Sequence, residues 1–171
     1  LVAEHGKYVG PDCKEGDYDF PNTVNIPQIH SVEDFRLKAP ASGDTVKIKV
    51  IVPRDGNRIL RDTQVVELPV KDGCVDISGH PDLVYVTVIN RFGTGTQTTA
   101  ICKDFGLNRG ALATTISHDS HNLTVVYRSP EEAYLAAEAM RKCGGGVCVA
   151  DGSEVTLLPL PVAGLMSQMV C

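Results

Sequence analysis

Tryptophan is absent and the aromatic share is 5%, so any core in this 171-residue chain must be built from Val, Leu, Ile and Ala. A hydrophobic fraction of 43% supplies enough of them to exclude wholesale disorder. Basic charge is also short. The net charge is −5, which argues against a nucleic-acid partner, because such proteins neutralise phosphates with Lys and Arg. Arg54, Arg58 and Arg61 do cluster, but Asp55 and Asp62 are interleaved with them, as on an ordinary solvated face. No apolar run is long enough to cross a membrane. The longest, Leu157 to Met166, has ten residues interrupted by Pro159, Pro161 and Gly164, where a spanning helix needs about twenty.

The six cysteines, Cys13, Cys74, Cys102, Cys143, Cys148 and Cys171, contain no CxxC pair, and no secretory signal precedes them. Cys102 and Cys148 lie in apolar settings, where a free thiol packs as a small hydrophobe. Reduced thiols in a cytoplasmic protein are the expectation, with no zinc-type spacing. The sequence also lacks any His-x-His: its five histidines are His5, His30, His80, His118 and His121. Gly144-Gly145-Gly146 follows a helical pattern rather than opening one, so it reads as a helix end and not a phosphate loop. Gly93-Thr94-Gly95 lacks the rest of a dinucleotide fingerprint.

What is present is mainly strand. Leu1 to Val9 reads as two short strands about a turn at His5-Gly6, and Pro11 to Thr23 as a linker. Both chain ends are abrupt and predict a piece of a longer polypeptide. Val46, Ile48, Val50 and Val52 alternate with Lys47, Lys49 and Ile51, then Pro53 is expected to stop the ladder and Asp55-Gly56 to turn it. Further strands are expected over Thr63 to Val70 and Leu83 to Phe92, with no helix between, which favours antiparallel meanders. One helix is expected from Pro130. Ser129 and Glu132 match a capping box, and Ala133, Ala136, Ala137, Met140 and Cys143 recur at helical spacing. Strand Leu123 to Tyr127 precedes it; strands Val147 to Ala150 and Glu154 to Leu158 follow. The fold class is therefore α+β: a mainly antiparallel β-sheet with a strand–helix–strand unit near the C-terminus.

The chemistry-bearing segment is Ser117-His118-Asp119-Ser120-His121-Asn122. In an extended strand His118 and His121 would point to opposite faces. Asp119 and Asn122 favour a turn that would bring the imidazoles nearer, and Asp119 could orient one of them. A structural polar turn, a ligand or substrate contact and a metal site all remain open from the residues alone. A Ser-His-Asp nucleophilic triad is disfavoured, because Ser120 sits in no G-x-S-x-G elbow.

That hexapeptide, preceded by Phe105-Gly106-Leu107-Asn108-Arg109-Gly110-Ala111, closely resembles the C-terminal domain of bacterial and archaeal adenine deaminases. The likeness continues through Gly144 to Val149 and Leu158 to Met166. Upstream, Pro21 to Val24, Glu33-Asp34-Phe35, Val66 to Val70 and Asn90-Arg91 fit more weakly. Val2 to Val9 resembles the strand closing the small β-sandwich beside an amidohydrolase barrel. The resemblance implies two parts: residues 1–20 as a remnant strand of that β-sandwich plus linker, and 21–171 as the adenine deaminase C-terminal domain. It implies a hydrolase in which a metal-activated hydroxide attacks C6 of adenine, giving hypoxanthine and ammonia. The divalent metal (Mn, Fe or Zn) would be held by an N-terminal barrel of the same polypeptide that carries a His-x-His pair, with no metal ligand in this chain. The domain would help enclose the active site of a homo-oligomer, without being catalytic alone. His118 and His121 are the candidates for assisting proton transfer, and Asp119, Ser120 and Asn122 for touching the purine. A structural or oligomerisation module without substrate contact is the alternative. One departure stands out: where many members carry His just before the glycine turn, this chain has Arg91-Phe92.

Overall fold

Two short strands, β1 (Ala3–Glu4) and β2 (Lys7–Tyr8), pair antiparallel about the His5-Gly6 turn, apart from the main sheet. The computed structural model describes residues 3–11, 21–54 and 57–167, with the side chains of 57–59 excepted. Cys13, Cys171, the Asp55-Gly56 turn and most of the expected linker lie outside the described residues.

The main sheet has nine strands: β3 (Thr45–Arg54), β4 (Asn57–Lys71), β5 (Cys74–Val75), β6 (Leu83–Ile89), β7 (Gln97–Lys103), β8 (Ala111–Thr114), β9 (Leu123–Tyr127), β10 (Gly146–Asp151) and β11 (Glu154–Pro159). Their spatial order is β11-β10-β8-β9-β6-β7-β3-β4-β5. Neighbours run antiparallel except β3 and β7, which are parallel through Val50↔Ile101 and Ile51↔Cys102. The meander expectation is corrected there: two hairpins, β3–β4 and β6–β7, join by a parallel seam. Pro53 does not stop β3 either; it pairs with Arg61, and the register shifts only between Pro53 and Arg54. Past Ile51 the strand has left β7, so a missing N–H on that side breaks no ladder bond. The third strand is shorter than expected and ends at Ile89.

Helix α1 (Pro130–Cys143) lies on one sheet face, against β8, β9 and β10. Its buried stripe is Ala133, Ala136, Ala137 and Met140, and it meets the equally small Ala111 and Ala113 of β8. Small residues on both sides let helix and sheet approach closely. Gly144 takes the left-handed conformation and its N–H bonds the Met140 carbonyl, closing the helix as the glycine run suggested.

The N-terminus of α1 differs from the expectation. Ser129 makes no side-chain cap; its hydroxyl goes to Glu131, and Glu132 accepts the Gly152 N–H instead. The capping box sits at the short 3-10 helix Val32–Phe35. There Ser31 Oγ accepts from Glu33 N at 3.2 Å, and Asp34 accepts from the backbone N–H groups of His30 and Ser31. Proline at the first helical position already fixes the entry to α1, which leaves Ser129 free for another bond. Ser31→Ala should therefore cost about 1 kcal/mol and Ser129→Ala less than about 0.5 kcal/mol in chemical denaturation. Equal costs would contradict this division.

The 3-10 helix is pinned across the same face. Phe35 is fully buried edge-on to Tyr127, with ring centroids 5.8 Å apart. The Tyr127 hydroxyl donates to the Phe35 carbonyl at 2.6 Å and lies 2.9 Å from Thr87 Oγ1, while burial raises its pKa well above the usual tyrosine value. Among the described residues, the opposite sheet face carries no helix.

Candidate functional site

Strand β8 delivers the polar loop to the end of the sheet where α1 stops. Thr115, fully buried, anchors its start: Oγ1 donates to the Gly164 carbonyl at 2.6 Å and accepts the Gly146 N–H at 2.8 Å. The chain then turns, as Asp119 and Asn122 suggested. His121 N donates to Ser117 O at 2.6 Å and Ser120 N to His118 O at 3.0 Å. Asp119 (φ 70°) and His121 (φ 50°) both take left-handed backbone. Asp and His enter that region more readily than most residues, but it still carries a cost for any side chain, which surrounding contacts offset at His121.

Those contacts come from Arg91, which is 2% exposed. Its guanidinium donates to the His121 carbonyl at 3.1 Å, to the Ala163 carbonyl and to Thr23 Oγ1 at 3.4 Å. Its backbone N–H reaches Asn122 Oδ1 at 3.3 Å. One side chain thus ties the loop to the segment before β3 and the segment after β11. Among the described residues these bonds go to carbonyls and a hydroxyl, none to a carboxylate, and desolvation lowers the Arg91 pKa. Arg91 Nε and His121 Nδ1 are both buried and unpartnered among the described residues. In the sequence Arg91-Phe92 stands out only as a departure from a histidine pattern. The signal available there is a lone cation directly after an apolar strand, at a position where the chain leaves the sheet.

The turn separates the two imidazoles by environment. His118 stands out with its side chain 96% exposed, and its Nδ1 lies 3.0 Å from Asp119 Oδ1. His121 is half-buried beside Arg91. Ser120 is exposed, and its hydroxyl accepts the Asn122 N–H at 3.4 Å. Three exposed apolar side chains rim this end of the sheet: Phe92, Ile116 and Met166. Phe92 packs beneath the Arg91 guanidinium, 5.8 Å from its ring centroid.

A divalent metal does not fit what is here. Among the described residues no three His, Cys, Asp or Glu side chains converge, and His118 is already engaged by Asp119. The loop offers hydrogen-bonding groups and one exposed imidazole with a carboxylate beside its Nδ1.

The family model described as adenine deaminase C-terminal domain matches residues 58–170. An adenine deaminase from Methanothermobacter thermautotrophicus is 39% identical over 167 residues, covering 98% of this chain and 30% of its own length. One from Ruegeria pomeroyi is 38% identical over 176 residues, covering 98% and 28%. One from Moorella thermoacetica is 41% identical over 149 residues, covering 86% and 25%. The chain thus spans between a quarter and a third of the length of these relatives. With the Phe105–Asn122 block inside the matched region, the chain belongs to the adenine deaminase C-terminal domain family.

Proposed function

We propose that this domain serves an adenine deaminase, converting adenine to hypoxanthine and ammonia, by closing the His118–Asn122 loop over a site built on the rest of the polypeptide. The observation that carries the reading is the His118–Asp119 pair: a carboxylate-oriented imidazole presented on an exposed loop that Arg91 holds in a strained conformation. Asp119 beside Nδ1 favours presenting Nε2 outward, the arrangement suited to passing a proton to departing ammonia. In this reading Ser120 and the Asn122 amide nitrogen, on the same loop, bond ring nitrogens of the purine. His121 supports the loop from below.

In this reading residues 1–20 belong to a preceding β-sandwich and 21–171 to the C-terminal domain. The catalytic metal (Mn, Fe or Zn) is held by an N-terminal barrel. Free Cys74, Cys102, Cys143 and Cys148 suit a reducing compartment, hence a cytoplasmic, homo-oligomeric enzyme of purine salvage.

The test is His118→Ala in the full-length polypeptide. Loss of the proton-transfer group should lower kcat on adenine about 10²-fold or more, with assembly unchanged. Asp119→Asn should cost less, since the imidazole remains. Unchanged kinetics with an altered oligomer would instead support a structural module.

A further inference from the structure

The sheet face opposite α1 is divided by charge. Toward β3 and β4 it carries Lys47, Lys49 and Glu67, as a solvated face does. Toward β11 the charges, Asp151 and Glu154 with Arg109 bridged to Asp151, are confined to the end of the face away from the polar loop. Leu158, Val147, Thr114, Thr124, Val88 and Thr98 stand side by side across six adjacent strands, linked pair by pair in register. At about 4.8 Å per strand this uncharged row is about 24 Å wide. The next row adds Val149, Leu112 and Val86, while the far end of the face is closed by Leu107 packed on Val84, Cys102 and Val126. Leu158 is 60% and Val149 48% exposed, so nothing among the described residues covers them. Single exposed aliphatics are ordinary; a contiguous uncharged band on one face marks an interaction surface.

The position of the band indicates its occupant. Thr124 donates its hydroxyl to Ser117 Oγ at 3.0 Å, so the first residue of the polar loop sits on the row itself. Ile116, exposed, continues the band upward to the loop. A body that covers His118 from this side must also lie over Val88 and Thr124. The relatives supply such a body, because about 70% of their length lies outside the region this chain matches.

We propose that this uncharged face seats the remaining portion of the adenine deaminase polypeptide, forming one continuous interface with the His118–Asn122 loop. The inference rests on the proposed function, but its test does not require turnover. Val88→Cys and Val65→Cys are made separately in the full-length polypeptide. Each is treated with a maleimide under native conditions, and labelling at the substituted position is followed by peptide mass spectrometry. Val65 lies on the same face, beside Lys49 in the charged part, and is exposed. The thiol introduced by Val88→Cys should label at least about 100-fold more slowly than the one introduced by Val65→Cys, independently of protein concentration. Comparable rates would overturn the proposal. So would protection at position 88 that disappears on dilution, which would assign the face to a second copy. Protection at position 88 together with a kinetically silent His118→Ala would retain the interface and reject the loop's catalytic part.

Discussion

Replacing Arg91 by Ala should lower the melting temperature of the chain by about 6–12 °C, corresponding to about 3 kcal/mol at 2–4 °C per kcal/mol for a domain of this size. Two effects oppose each other. Burying a guanidinium without a carboxylate is costly, so its removal relieves a desolvation penalty. Its removal also leaves the buried-side carbonyls of His121 and Ala163 without donors, at about 1–3 kcal/mol each, and opens a cavity between three chain segments. The second effect wins, because the unmet carbonyls and the void add while the relief is partial. Arg91→Lys should fall between, since an ammonium replaces the planar fork with a point charge and cannot span Thr23, His121 and Ala163 together. A shift below about 2 °C for Arg91→Ala would show that the loop holds itself.

Gly146→Ala should be more damaging still. The residue has φ 151°, and a Cβ there would lie 2.1 Å from the Leu158 carbonyl oxygen and 3.1 Å from both the Leu158 carbonyl carbon and Pro159 Cα. All three are backbone, so no side chain can swing aside. Either β10 and β11 separate at this end or the Gly146 peptide rotates and loses its bond to Thr115. Overpacking of this kind costs about 3 kcal/mol or more, enough to threaten folding at about 37 °C for a marginally stable domain. Gly152 supplies the control. Its φ of 62° is also unfavourable for alanine, but nothing lies within 4 Å of the added carbon. Gly152→Ala should cost only about 1 kcal/mol, the backbone penalty alone. Equal losses at the two positions would mean that conformation, and not the contact with Leu158, dominates at Gly146.

Much of the fold was legible because period and punctuation agreed. Helix α1 announced itself through Pro130, the alanine stripe and the glycine stop, and the strand pairs on either side through alternation. Local rules failed where they met tertiary geometry. Pro53 reads as a strand stop, yet it is tolerated because it lies past Ile51, where β3 no longer pairs with β7. Ser129 and Glu132 spell a capping box, but Glu131 and Gly152 offer them other partners. The parallel β3–β7 seam depends on residues about 50 apart and leaves no trace in either strand.

At the candidate site, the turn was legible from Asp119 and Asn122, but the fate of each imidazole was not. His118 and His121 are chemically identical in the sequence. What distinguishes them is a guanidinium 30 residues upstream that draws His121 inward and leaves His118 exposed beside Asp119. Long-range hydrogen bonds of that kind carry no periodic signal, whereas the resemblance of the Phe105–Asn122 block to adenine deaminases carries the function without the geometry.

In the proposed division of labour this domain completes a site whose metal and catalytic barrel lie elsewhere in the polypeptide. Adenine-to-hypoxanthine turnover by the purified 171-residue chain, with Mn²⁺ or Fe²⁺ added, tests it most directly. The account expects no turnover. Metal-dependent turnover by the chain alone would contradict it, and would place a catalytic metal on His118 and His121.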